Sequence, residues 1–154
     1  MFRRFSHEAE YYPQLSRVPL HVRMKLDTAG IKLSLRQWLD FSLEERNVLC
    51  HLPVEHREEL EVFSGYLGFL CRKYDGKEAQ VMPAESSRSW EDPDRLPERI
   101  AQKSQEQGPP VSLEEWRNWQ PVERYALYKT AASESEPEKF FAVLADIRRQ
   151  CTES

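Results

Sequence analysis

Between residues 55 and 74, Leu60, Phe63, Leu67, Leu70 and Tyr74 recur at intervals of three or four, the spacing that puts apolar side chains on one face of a helix. Phe141, Leu144 and Ile147 repeat that spacing near the C-terminus, and Ser135, Pro137 and Glu138 precede them as a helix start. Two shorter helices are predicted after Ser34 and Ser42, because Gln37 and Glu45 lie three residues on and complete capping boxes. Trp38 and Phe41 then fall on one side and are expected in the core. One segment is ambiguous. Val18, Leu20, Val22, Met24 and Leu26 alternate as a half-buried strand would.

An internal repeat resolves the ambiguity. SLRQWLDFSLEERNVL, from Ser34 to Leu49, aligns with SLEEWRNWQPVERYAL, from Ser112 to Leu127, at an offset of 78, with six of sixteen positions identical. The identities include Ser34 and Ser112, Trp38 and Trp116, Glu45 and Glu123, and Arg46 and Arg124; Phe41 meets Trp119. The same offset carries Pro19 onto Pro97, Gly30 onto Gly108 and Phe63 onto Phe141. The second copy of the alternating segment, PERIAQKSQEQG, has no strand character, opens on Pro97 and stops at Gly108. By analogy Pro19 opens a helix that Gly30 closes, with Val22, Leu26 and Ala29 on one face. In the second copy Ser112 with Glu115 forms the capping box, while Pro121 and Glu123 take the first and third positions of the next helix.

The predicted fold is all-α: two related helical units in one compact domain with a pseudo-twofold internal duplication, an α+β alternative resting only on the alternating segment. The expected layout is an N-terminal segment over 1–18, a first unit over 19–74, a loop or linker over 75–95, a second unit over 96–150 and a tail over 151–154. Pro, Ser, Gly and acidic residues mark the 75–95 stretch as loop, where Trp90 is an isolated aromatic expected to pin it to the body. In the longest predicted helix, Gly65 and Gly68 each weaken helix propensity by about 1 kcal/mol relative to Ala. They are expected there to permit another element's close approach.

Composition narrows the function classes. The 154 residues are 40% apolar and 31% charged, with a formal net charge of −4, which speaks against a phosphate-dominated nucleic-acid binder. No apolar run reaches membrane-spanning length and no hydrophobic signal segment opens the chain, so a cytoplasmic location is expected. Cys50, Cys71 and Cys151 are odd in number and widely spaced, as reduced thiols would be.

Candidate chemistry is sparse. Cys50, His51 and His56 span Pro53 with no known zinc spacing, and a Cys-His hydrolase would need a positioned base and an orienting group. The Glu44-Glu45, Glu58-Glu59 and Glu114-Glu115 pairs diverge by about 100° on a helix and suit solubility better than acid-base work. The tight joint at Asp40 to Ser42 resembles a helix-turn-helix, but Glu44 and Glu45 at the start of its second helix oppose a DNA backbone. Glu45-Arg46 and Glu123-Arg124 are expected to tie neighbouring helices or to cross between units. Around Gly30, Lys25, Asp27, Lys32 and Arg36 align with Lys103, Gln105, Pro110 and Glu114 in the second copy. Charges that do not recur are what a partner surface confined to one unit would produce. The structural set is expected to be Gly30, Ser34, Trp38, Gly108, Ser112 and Trp116. No catalytic residue, cofactor or metal is expected.

VPLHVRMKLDTAGIKLSLRQWLDFSLEERNVLCHLP, from Val18 to Pro53, resembles the signature region of the nitrate reductase-associated protein family, with Arg23, Lys25, Leu26, Asp27, Gly30, Lys32, Leu33 and Trp38 matching its pattern. Ala29 stands where that family commonly has Cys, which weakens any redox or metal role here. The resemblance implies a cytoplasmic, noncatalytic accessory factor that binds nitrate reductase and assists its assembly, maturation or activity. On this reading, Lys25, Asp27, Lys32 and Arg36 touch the partner. A small-molecule or cofactor-binding helical module is the alternative, and it requires a concave pocket lined by Trp38 or Trp116.

Overall fold

Ser34, Ser42 and Ser112 each accept a hydrogen bond from the backbone N–H three residues on, and the side chains of Gln37, Glu45 and Glu115 accept one in turn from the capping residue's own N–H. These reciprocal bonds satisfy donors that a helix start leaves unpaired, which sets where three short helices begin. The computed structural model describes residues 2–82 and 88–153. Over those residues the chain is all-α apart from one pair of two-residue strands. It divides into two compact units: Phe5–His7 join the residues from 85 onward in the second, and the rest form the first.

The first unit runs α1 (Leu20–Ala29), β1 (Ile31–Lys32), α2 (Leu35–Asp40), α3 (Leu43–His51), α4 (Arg57–Asp75) and β2 (Gln80–Val81). The ambiguous segment is helix. It reads like a strand because α1 is buried on most of its circumference, Leu20 and Met24 as well as Val22 and Leu26. Gly30 ends α1 at φ 71°, a left-handed conformation that costs a residue with a Cβ, and its N–H closes onto the Asp27 carbonyl. The chain then pairs β1 with β2 antiparallel, Ile31 opposite Val81 and Lys32 opposite Gln80, while the Met82 N–H donates to the Gly30 carbonyl. Two residues per strand leave too little alternation for this pairing to be read from sequence. A continuous core joins Val22, Leu26, Trp38, Phe41, Leu49, Phe63, Leu67 and Leu70, each large apolar side chain contributing about 1.5–3 kcal/mol by its removal from water. Gly65 has no close neighbour: no atom of another element lies within 4 Å of where a Cβ would stand, and at Gly68 the nearest atom is Arg72 Nη1, of the same helix, at 3.5 Å. Among the described residues the expected close approach of another element is not made.

In the second unit a 3₁₀ turn (Ser89–Glu91) is followed by α5 (Glu98–Ser104), a second 3₁₀ turn (Gln105–Gln107), α6 (Leu113–Asn118), α7 (Pro121–Ala131) and α8 (Glu138–Glu153). α5, α6 and α7 begin 78 residues after α1, α2 and α3. Of the stretch read as loop, 83–87 lies outside the described residues. Trp90 anchors the part that follows, buried edge-on against Tyr125 at 5.0 Å and tilted against Tyr128 at 5.1 Å. Gly108 adopts φ 114° after the second 3₁₀ turn, a different exit from the left-handed stop at Gly30.

The repeated Trp and Arg make the same kinds of bond in each unit. Trp38 Nε1 donates to the Leu15 carbonyl at 2.7 Å and Trp116 Nε1 to the Asp92 carbonyl at 2.9 Å. Arg46 donates to Phe41 O and to Gln14 O and Leu15 O. Arg124 donates to Trp119 O, the position aligned with Phe41, and to Trp90 O and Trp116 O. Each guanidinium thus closes the joint between two short helices and fastens the strand of chain that leads into its unit. Glu45 takes a separate role, accepting from Lys73 at 2.8 Å and from Tyr74 on α4.

Candidate partner-binding face

The end of α1, β1 and the first turn of α2 carry the charges that do not recur. Lys32 and Arg36 are exposed and Asp27 is half-buried, so three of the four expected residues reach the surface of this stretch. Lys25 does not. Only 2% exposed, it turns inward and its Nζ donates to Leu49 O at 3.1 Å and Cys50 O at 2.6 Å. The reason is its spacing: Lys25 follows Val22 by three residues and therefore lies on the buried stripe of α1 rather than on its charged side. The ammonium satisfies carbonyls that the last turn of α3 leaves without helical partners, and it complements the negative end of that helix.

A set of titratable groups surrounds this inward lysine. Burial lowers the Lys25 pKa to about 8, against the smaller opposing pull of Cys50. Burial also pushes the Cys50 thiol up to about 12, with Lys25 pulling the other way. His21, one helical turn before Lys25, is held at about 3 by burial first and then by the Lys25 charge. Its Nδ1 accepts the Arg3 N–H at 2.7 Å, and Phe2 stacks on its ring at 5.7 Å and 8°. At neutral pH this cluster is an ammonium, a neutral imidazole and a protonated thiol. The lysine is committed to two carbonyls and the thiol is a poor nucleophile, so the arrangement supports helix packing rather than covalent catalysis.

Glu55, His56 and Glu59 bring ligand-capable atoms within 4.8 Å of one another at the exposed start of α4. Glu59 already accepts the His56 backbone N–H at 2.9 Å, so its carboxylate serves the helix start. His51 is elsewhere engaged, its Nδ1 2.8 Å from Asn47 O. Trp38 and Trp116, named for a ligand pocket, are fully buried with their indole N–H groups on backbone carbonyls, and neither presents a free edge to a small molecule.

Arg17 and Arg23 are the residues of this face that sequence reasoning did not single out as contacts. They stand at the rim of a cleft of about 130 Å³ whose walls are Val18, Leu26, Leu33 and Leu35. Arg17 lies over the Tyr11 ring at 5.6 Å, and Arg23 Nε donates to Val18 O at 3.3 Å. The available signal was an arginine pair six residues apart bracketing an apolar run, which shows no conjunction until α1 folds.

The sequence model of the family described as conserved nitrate reductase-associated protein matches residues 4–147. The chain belongs to that family. The match takes in both helical units, beyond the 36-residue signature stretch that carries the resemblance in the sequence. Family membership supports a general accessory role and not a particular partner or mechanism. No curated protein and no solved structure matches the chain. Among the described residues no helix is long and apolar enough to cross a membrane.

Proposed function

We propose that this protein is a noncatalytic, cytoplasmic accessory factor that binds an assimilatory nitrate reductase and assists its assembly, maturation or activity. The observation that carries the reading is the family match over residues 4–147. The exposed face at the end of α1 and the start of α2 supplies the means: Lys32 and Arg36 project from a stretch whose aligned residues in the second unit are Pro110 and Glu114. On this reading the chain is a duplicated helical unit with pseudo-twofold character, one copy of which has been specialised for a partner. Gly30, Ser34 and Trp38 position the face through a helix stop, a cap and a buried ring, and Ser112 and Trp116 supply the same cap and ring in the second copy, where Gly108 makes a different turn.

The test is affinity purification from cells grown on nitrate, comparing the wild-type chain with Lys32→Glu plus Arg36→Glu. Both sites are exposed, so the variant should keep the wild-type thermal midpoint and circular dichroism. Lys25→Glu is unsuited to this purpose, because it would bury a carboxylate against two carbonyl oxygens. Recovery of nitrate reductase with the wild-type chain and its loss with the double variant is expected. Equal recovery would remove the face from the reading, and absence of the enzyme from both samples would overturn the function itself.

A further inference from the structure

The cleft beside this face has a shape and a charge that together specify more than a general protein contact. Its walls are aliphatic, Val18 and Leu26 at the base and Leu33 and Leu35 toward solvent, and its volume is about 130 Å³. That is close to the roughly 150 Å³ apolar cavity known to hold one benzene ring, so it has room for a single apolar side chain and not for a helix. Leu35 and, one turn on, Leu39 are each 45% exposed, extending the apolar surface along α2.

Two cations line it, and two more lie next to its lining residues in the chain. Arg17 and Arg23 line the cleft itself, while Lys32 and Arg36 flank Leu33 and Leu35 along the chain; all four side chains are exposed. Arg17 is steadied by the Tyr11 ring and Arg23 by one bond from Nε. Neither contact neutralises the guanidinium, and each leaves N–H donors of the fork for a carboxylate. Asp27 is the acidic side chain nearest in sequence on α1, and it is half-buried. Two arginines and no acidic residue are among those that line the cleft, in a chain whose net charge is −4.

We infer that this cleft is a docking pocket for an acidic peptide segment of a partner protein, taking one aliphatic side chain into the apolar recess while flanking Asp or Glu residues pair with Arg17 and Arg23. This rests on the reading of the chain as a protein-binding accessory factor and names the chemistry of the segment it grips. The recess supplies desolvated anchoring, and the arginines supply selectivity for acidic neighbours and speed of encounter.

The probe is a displayed library of random dodecapeptides selected against the full-length folded chain. The expected enrichment is a motif with one Leu, Ile or Met among at least two acidic residues. A synthetic peptide carrying that motif should bind at least ten-fold more weakly to Arg17→Glu plus Arg23→Glu and to Leu35→Asp. Charge reversal of Arg57, exposed on α4, should change binding less than two-fold. Raising KCl from about 50 to 500 mM should weaken the complex several-fold. Enrichment of acid-free or basic motifs, no enrichment at all, or unchanged affinity in the cleft variants would overturn the inference. So would competition by hexanoate at the peptide's own concentration, which would make the recess a small-acid site. Recovery of nitrate reductase undiminished by Arg17→Glu plus Arg23→Glu would leave the accessory reading standing and remove the pocket from it. Failure to recover the enzyme with the wild-type chain, beside a normal library result, would do the reverse.

Discussion

Arg46 and Arg124 hold aligned positions and share one aligned acceptor, Phe41 O and Trp119 O, yet their surroundings differ, and that difference predicts a difference in stability. Arg124 is buried and donates to the carbonyls of Trp90, Trp116 and Trp119. Arg46 is only half-buried, and its bond to Gln14 O at 2.7 Å is exposed. A hydrogen bond from a charged donor contributes about 1.5–3 kcal/mol, and a buried carbonyl left unsatisfied costs about 1–3 kcal/mol. Arg124→Met removes the donor from at least two carbonyls that water cannot easily reach, so a loss of about 3–5 kcal/mol is expected after the relief of burying a charge is subtracted. Arg46→Met leaves carbonyls that water can partly serve, and about 1–2 kcal/mol is expected. Urea denaturation followed by tryptophan fluorescence and by circular dichroism measures both. With an m-value of about 2 kcal/mol/M, the Arg124 variant should move the midpoint by about 2 M and the Arg46 variant by less than 1 M. Arg124→Lys tests geometry against charge: an ammonium on a flexible stem cannot span the same carbonyls, so only part of the loss should be recovered. Equal destabilisation by the two Met variants, or full rescue by Lys, would refute the argument that burial and the guanidinium fork set the strength of this clamp.

Four further outcomes follow from the same structure. His21 is held neutral to about pH 3 in the fold, against 6.5 when unperturbed, so the unfolded chain binds the extra proton between those values. Stability should therefore fall as pH drops below 6.5, and His21→Gln should flatten that part of a stability–pH curve; an unchanged slope would contradict the burial. Lys25 acts in the alkaline range with the same sign, since its pKa falls from 10.5 to about 8 on folding. Stability from this group should rise as pH increases from 8 to 10.5, a rise absent in Lys25→Met. Glycine substitutions should separate by sign in thermal melts: Gly30→Ala must adopt φ 71° and should destabilise by about 1 kcal/mol, whereas Gly65→Ala lies in the exposed interior of α4 with open space around it and should stabilise by about 0.5–1 kcal/mol. In thiol titration without denaturant, exposed Cys151 should react at once while buried Cys50 and Cys71 wait on opening of the fold; immediate reaction of all three would mean a looser core.

Helix starts were legible because a capping box is a local device, complete within four residues. Ser34 with Gln37 needs no tertiary contact to be recognised, and the helix it announces begins at Leu35. Trp38 was legible as core for a similar reason, its spacing to Phe41. What escaped depends on chain brought from a distance. The β1–β2 pair joins residues about fifty positions apart through two facing residue pairs, too few to leave a pattern. The acceptors of Arg46 and Arg124 are backbone carbonyls, which every residue possesses, so nothing in residues 14, 15 or 90 advertises the contact. The repeat did signal that both arginines matter, and it could not say to what they bind.

Lys25 shows how a charge pattern misleads when read without the helical stripe. It aligns with Lys103, so by the repeat it was never among the charges peculiar to the first unit, and in the second unit Lys103 lies over the Phe140 ring at 5.5 Å. Both lysines contact their own unit, one through carbonyls and one through an aromatic face. The charges that distinguish the first unit are then Asp27, Lys32 and Arg36, to which the fold adds Arg17 and Arg23 at the rim of an aliphatic cleft. Removing Lys25 moves the candidate face from the inner side of α1 to its outer side and to α2. There, cations stand beside exposed Leu35 and Leu39, and a partner can be recognised by an apolar anchor and acidic neighbours together.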